Sequence, residues 1–313
     1  MYISTSLLTL LATTSITKAF LFSDIAAAAS DVTRSVSDAA GSLLRRRGTC
    51  PSVWSDISTT LTAQFLADGQ CTDAARAAIR GAFHDCFNGA CDGSLILANE
   101  CSNSENKGLE RLCGNLGTLA TDNGVGVADL IQFAAAHAIK TCPGGPTVPV
   151  KVGRKDSTTA NALGVLPSAN QAGGDLVKLF ASKGFSAIDL AALIGAHTAA
   201  KQRVTDPSKA GASLDSTPGV WDNKFYSETI SNTAPFTLQA DKNIQTNLLT
   251  AAPFASFAAS QSLWSAAFVP AMTKMSMMGV SGVSLVDCTS ALPDGSSKRD
   301  VKRAPLFERF TKW

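Results

Sequence analysis

The chain has 313 residues, enough to bury a large core as one big domain or as two halves around a ligand. Hydrophobic residues make up 45% and charged residues 17%, a folded, alanine-rich composition that excludes intrinsic disorder. The formal net charge is only +2, the basic residues form no extended stripe, and aromatic and basic residues do not interleave, so nucleic acid is excluded as a partner.

Residues 1–19 are apolar and rich in Ser and Thr, and they end in Thr17-Lys18-Ala19-Phe20. This predicts a signal peptide, although the usual positive start is missing. Residues 20–47 predict a propeptide: 21–44 can form an amphipathic helix, and Arg45-Arg46-Arg47-Gly48 has the form of a dibasic cleavage site. An ordinary helix with a charged end is the alternative. Eight cysteines follow, Cys50, Cys71, Cys86, Cys91, Cys101, Cys113, Cys142 and Cys288, with no CxxC pair. An even number in an exported chain predicts four disulfides rather than a structural zinc site. No later segment is apolar for long enough to span a membrane, and no Asn-x-Ser/Thr sequon is present. The expectation is a secreted, extracellular monomer without a membrane span.

Helical spacing runs through 53–67 and 72–84, with no strand-like alternation. Residues 94–112 begin polar and irregular, and 109–119 predict a short helix. The helix predicted over 126–140 is stopped by Cys142-Pro143-Gly144-Gly145-Pro146. Residues 148–170 are mixed: a short extended piece, then Gly153-Arg154-Lys155-Asp156 and a loop to Pro167. A short helix is expected over 175–183. Ser186 and Asp189 form a capping-box signature, opening a helix expected to reach about 201. Further helices are expected near 222–228, 239–249 and 253–278. The reading is mainly α with minimal β, and no Gly-rich phosphate loop follows a strand.

Only three histidines are present. Arg80, Phe83 and His84 share one helical face at i, i+3 and i+4. A neutral imidazole beside a fixed cation is a general base with an electrostatic partner. In a haem pocket Phe83 would wall the porphyrin. The alternative is a surface arginine beside an incidental histidine. His197 lies in Leu193-Ile194-Gly195-Ala196-His197-Thr198-Ala199-Ala200, where small neighbours leave room for a flat cofactor. A single neutral histidine is a common axial haem ligand, and a carboxylate on its far nitrogen strengthens it. Asp241 is the candidate carboxylate. A core histidine bonded to backbone is the alternative. His137 shares the Asp-Leu…Ala-His spacing but sits in the apolar Phe133-Ala134-Ala135-Ala136 and reads as core. Two oxygen-rich stretches suit Ca²⁺: Asp85, Asn88, Ala90, Asp92 and Ser94, and then Asp215, Thr217, Val220 and Asp222 beside Thr198. Simple Asx-turns would explain each equally well.

The segments Arg80-Gly81-Ala82-Phe83-His84-Asp85-Cys86-Phe87-Asn88-Gly89-Ala90-Cys91-Asp92-Gly93-Ser94 and Asp189-Leu190-Ala191-Ala192-Leu193-Ile194-Gly195-Ala196-His197-Thr198 resemble the distal and proximal signatures of the plant, fungal and bacterial haem peroxidase superfamily. The resemblance covers nearly everything from Cys50 to Cys288. It implies a two-part helical fold, with haem b between a distal half (48–160) and a proximal half (161–290), and a basic tail over 291–313. It implies Arg80 and His84 as the distal pair, Asn106 as the residue orienting His84, His197 as the iron ligand and Asp241 as its partner. Leu214 would face the proximal haem side, where a tryptophan could have held a radical. Two Ca²⁺ ions are implied: one at Asp85, the Asn88 and Ala90 carbonyls, Asp92 and Ser94, the other at Thr198, Asp215, Thr217, Val220 and Asp222. The implied disulfides are Cys71–Cys142, Cys50–Cys288 and Cys86–Cys91, which leaves Cys101 for Cys113.

Asp215-Ser216-Thr217-Pro218-Gly219-Val220-Trp221-Asp222 and Leu285-Val286-Asp287-Cys288 are similar to the secreted fungal (class II) enzymes, whereas Cys86 and Cys91 resemble the short distal-loop disulfide of secreted plant enzymes. The activity implied is reduction of hydrogen peroxide through an oxyferryl and porphyrin-radical intermediate, with one-electron oxidation of small phenolic or aromatic donors. Two alternatives remain. A manganese- or lignin-oxidising peroxidase would place three acidic side chains where this chain has Asp73, Ala77 and Arg203, or an exposed tryptophan where it has Ala192. One carboxylate beside a cation is a poor Mn²⁺ site. The other alternative is a secreted haem-binding protein that has lost catalysis, for which the distal pair would be unnecessary.

Overall fold

The computed structural model describes residues 48–295; the expected signal peptide, the propeptide and all but the first few residues of the basic tail lie outside them. Helix α1, Val53–Phe65, buries Trp54, Ile57, Leu61 and Phe65 at helical spacing. It ends earlier than expected, because Leu66–Ala67 (β1) turns back onto Gln70–Cys71 (β2). Thr72 then caps α2, Asp73–Asn88, its hydroxyl accepting from the Ala75 amide. This helix runs a turn past the expected His84 and buries Ala75, Ala78 and Ala82, small residues that let it pack closely along α5, Val127–Thr141. Between them come α3, Ser94–Leu97, two single 3₁₀ turns, Glu100–Ser102 and Ser104–Asn106, and α4, Glu110–Asn123. The turn into α3 requires glycine at Gly93: φ is +78°, and a Cβ would lie 2.8 Å from the Ala128 amide nitrogen.

Helix α5 is buried along almost its whole length and has no cap of its own, since Gly126 precedes it. The cap comes from far along the chain: the Asp156 carboxylate accepts from the Val127 and Ala128 amides at 2.9 and 2.8 Å. Next to it, the Asp129 carboxylate accepts from the Arg154 guanidinium at 3.0 Å and from the Gly153 amide, while Arg154 also donates to the Ser276 carbonyl. The Gly153-Arg154-Lys155-Asp156 segment is thus pinned to α5. The short extended piece expected after Val148 is strand β3, Lys151–Val152, paired antiparallel with β4, Val286–Asp287.

Helix α6, Gly173–Ser182, leads to α7, Ala187–Ile194, whose capping box is complete: Ser186 accepts from the Asp189 amide and Asp189 from the Ser186 amide. This helix does not continue to residue 201. It tightens into a 3₁₀ turn, Gly195–Ala199, so His197 sits on that turn rather than on the α-helix. Then come α8, Lys224–Ser231, and α9, Gln239–Thr246. The single helix expected over 253–278 is two, α10, Ala251–Ala259, and α11, Gln261–Met275. Ser260 breaks it, adopting extended backbone so that its hydroxyl can cap α11 at the Leu263 amide. The architecture is mainly α, with two small two-stranded ladders among the described residues. No single described helix is long and apolar enough to cross a membrane.

The eight cysteines form Cys50–Cys288, Cys71–Cys142 and Cys86–Cys91, the three pairs that the resemblance implied, and Cys101–Cys113, the pair left over.

Candidate active site

A cavity of about 720 Å³ has α2 on one side and the α7–3₁₀ segment on another, a size typical of cofactor pockets. Arg80, Phe83 and His84 line it from α2; His197, Leu193, Leu214, Asp241, Phe268, Met272 and Met275 line it from the later elements. The i, i+3, i+4 spacing on α2 explains the first group, because Ala75, Ala78 and Ala82 of the same helix occupy its other, core-facing side.

His84 is buried and held at both nitrogens. Its Nδ1 lies 2.6 Å from Asn106 Oδ1, and the Asn106 amide donates to the Glu100 carbonyl at 2.8 Å. Asn106 therefore offers its oxygen to the ring, which places the imidazole hydrogen on Nδ1 and leaves Nε2 as acceptor. Arg80 Nε donates to that Nε2 at 3.1 Å, and the guanidinium is anchored on the Glu105 and Lys107 carbonyls, each at 3.0 Å. Burial first, then the Arg80 charge, pushes the His84 pKa down to about 3, with the Asn106 bond opposing. The ring is a neutral base beside a fixed cation.

His197 has its Nδ1 2.9 Å from Asp241 Oδ1, and Asp241 is fully buried on α9. The carboxylate orients the ring and leaves Nε2 as the nitrogen available to a ligand. Leu214 is buried on the same cavity. His137 lies away from the cavity lining, its nitrogens within hydrogen-bond distance of Thr62, the Ser58 carbonyl and Thr141.

The first oxygen-rich loop is drawn tight. Asp85 accepts from the Gly93 and Leu95 amides, Asp92 from the Ser94 amide, and Ser94 Oγ from Asn161. Asp85 is completely buried, and burial raises its pKa to about 8. Asn88 Oδ1 is buried without a hydrogen bond, and Ala90 lies in the same loop. In the second loop, Thr198 and Thr217 donate to Asp215 and Asp222, with Val220 closing the turn by donating its amide to the Thr217 carbonyl. Burial raises Asp215 to about 6. Each loop contributes two carboxylates and several neutral oxygens, a hard-ligand set that fits Ca²⁺.

Asp73, Ala77 and Arg203 also line the cavity. The Asp73 carboxylate is held by Arg76 at 2.6 Å, Lys201 at 3.3 Å and Arg203 at 3.5 Å, so three cations surround the one acid there. Ala192 is buried, and its carbonyl accepts from Trp264. The motif reading missed Glu100, a buried carboxylate that accepts from the Asn161 amide and from Asn88, and the rings of Phe225, Tyr226, Trp264 and Phe268 around the proximal turn. These residues come from distant segments, and no local spacing marks them.

The fold is mainly helical around a cavity lined by two differently held imidazoles, and comparison with known proteins identifies its class as oxidoreductase. The family described as Peroxidase matches residues 55–260. The chain is 31% identical to a low-redox potential peroxidase of Taiwanofungus camphoratus, over 80% of this chain and 84% of the relative. It is 27% identical to manganese peroxidase 3 of Phlebia radiata, over 86% of this chain and 90% of the relative, and 27% identical to a peroxidase of Arthromyces ramosus, over 81% and 79%. The chain belongs to the peroxidase family and is an enzyme of hydrogen-peroxide-dependent oxidation.

Proposed function

We propose that this chain is a secreted haem peroxidase that reduces hydrogen peroxide and oxidises small phenolic or aromatic donors by one-electron steps. The observation that carries the reading is the pair of imidazoles on one cavity, His84 neutral with Nε2 as an acceptor facing Arg80 and His197 backed by a buried carboxylate. The donor set fits haem: His197 Nε2 would bind the iron, and Phe83, Leu214 and the apolar wall would hold the porphyrin. Bound there, haem would supply the redox chemistry. His84 Nε2 takes the proton of the peroxide and returns it to the departing oxygen, while the Arg80 guanidinium stabilises the charge that develops on that oxygen. Asn106 keeps the ring in the tautomer this requires. Two Ca²⁺ ions at the Asp85–Ser94 and Thr198/Asp215–Asp222 loops would brace the segments that carry His84 and His197.

The donor reading rests on the entrance of the cavity. With Asp73 engaged by three cations, Ala77 apolar and Arg203 basic, that wall disfavours a bound dication. An organic donor reaching the cavity is the reading that remains. The decisive test is the absorption spectrum of the haem-loaded chain before and after one equivalent of peroxide, with His84→Ala beside the wild type. We expect the variant to keep its haem and to react with peroxide slower by roughly 10²–10⁴-fold. Reaction at the wild-type rate would overturn the assigned role.

A further inference from the structure

Behind His197 the core holds a run of aromatic rings that peroxide cleavage and donor binding leave unused. Phe225 meets the His197 ring edge-on at 5.7 Å, Tyr226 lies 5.3 Å from Phe225, and Trp264 lies 5.6 Å from Tyr226. Trp221 stacks on Trp264 at 5.2 Å with an interplanar angle of 11°. A shorter path starts on the cavity wall itself: Phe268 lines the cavity and stands 5.8 Å from Trp264 and 5.0 Å from Trp221. Both indoles are fully buried. Gly195, two residues before His197, makes room for Trp264, since a Cβ there would lie 2.6 Å from Trp264 Nε1. The indole is therefore seated against the backbone of the turn that carries His197.

Tryptophan and tyrosine are the side chains most easily oxidised by one electron, and the surroundings of these rings separate the two. Tyr226 must lose its hydroxyl proton with the electron, yet that hydroxyl donates to the Ala191 carbonyl at 2.7 Å, and an amide carbonyl does not take up a proton. An indole can give up an electron and keep its N–H. Trp264 Nε1 donates to the Ala192 carbonyl at 2.9 Å, a dipole aimed at the ring where positive charge would reside. Face-to-face stacking lets Trp221 share that charge. The charge would move between two buried groups rather than out of water, so the desolvation cost largely cancels.

We propose that the stacked Trp221–Trp264 pair is an internal one-electron donor, an inference that rests on the haem reading above. After peroxide has oxidised the cofactor by two electrons, one electron passes from the pair to the cofactor. The cofactor is left one equivalent less oxidised, and a cation radical is shared by the two indoles. No bond forms or breaks at the pair and no proton leaves it. An electron from an organic donor later returns through the cofactor and restores the indoles. Because neither ring reaches the surface, the pair stores an oxidising equivalent and does not itself oxidise bulky substrates.

The test uses the haem-loaded full chain, mixed with one equivalent of peroxide without donor, freeze-quenched and read by electron paramagnetic resonance. Absorption is followed in parallel. The wild type is expected to give an organic radical signal that narrows when the protein carries indole-deuterated tryptophan, a measurement that needs no substitution. Trp221→Phe with Trp264→Phe should abolish that signal and prolong the fully oxidised absorption several-fold, whereas Tyr226→Phe should leave the signal in place. A signal that persists in the double variant, or that narrows only with ring-deuterated tyrosine, overturns the inference while the peroxide-driven absorption change upholds the haem reading. A wild-type chain whose absorption ignores peroxide overturns that reading and the inference with it.

Discussion

The behaviour of His84 follows from three neighbours. Burial and the Arg80 charge depress its pKa to about 3, and Asn106 directs the remaining lone pair into the cavity. In the proposed role the neutral ring is the base, so the sign is fixed: activity is lost as pH falls through the folded value, not as it rises. We expect the second-order rate of reaction with peroxide to be flat from about pH 4 to neutrality and to fall tenfold per pH unit below about 3. Stopped-flow absorption across that range checks it, and a midpoint near the ordinary histidine value of about 6.5 would contradict the environment described for the ring. His197 is different, with its ring half-open to the cavity and its Nδ1 committed to Asp241. The different roles proposed for the two histidines follow from their partners, a neutral amide for one and a buried carboxylate for the other.

At the scale of elements, two helices carry caps of different origin. Helix α7 carries its own Ser186–Asp189 box, three residues apart in the chain. Helix α5 borrows its cap from Asp156, which in turn sits beside the Arg154–Asp129 pair. Ser186→Ala should cost about 1 kcal/mol, the usual price of an exposed N-cap. Asp156→Ala removes both accepting oxygens at a largely buried helix end, leaving two amides unsatisfied, and should cost about 2–4 kcal/mol. Chemical denaturation of the two variants measures the difference; equal losses would mean that α5 does not depend on the distant carboxylate.

For the molecule as a whole, the disulfides and the two oxygen-rich loops tie the chain around the cavity. Cys50–Cys288 joins the first described residues to the last ladder across a sequence separation of 238. If the loops hold Ca²⁺ as proposed, chelation should lower the melting temperature of the haem-loaded chain and added Ca²⁺ should restore it. A site at a hundredfold excess over its dissociation constant contributes about 2.7 kcal/mol, and calorimetry with and without chelator reads the shift. The entrance makes a separate prediction. Mn²⁺ should not accelerate donor oxidation by the wild type, whereas Ala77→Glu combined with Arg203→Asp, which places two further carboxylates beside Asp73, should make the rate depend on Mn²⁺. Saturable Mn²⁺ dependence in the wild type would overturn the donor reading.

Local sequence by itself determined the parts of this protein in which a few consecutive residues act together. The capping box at Ser186, the one-faced Arg80, Phe83 and His84, and the helical class of the chain are all of this kind, since helical periodicity and capping are set within a turn or two. The motif around Asp189–Thr198 marked His197, but not the tightening of the helix at Gly195 or the approach of Tyr226 and Trp264 to that glycine. Nor could spacing reveal that Asp156 caps α5, that three cations close on Asp73, or that Trp221 stacks on Trp264. Apart from Arg76, which is three residues from Asp73, those contacts join residues tens of positions apart, and only packing into one core decides which of many possible long-range neighbours a side chain meets.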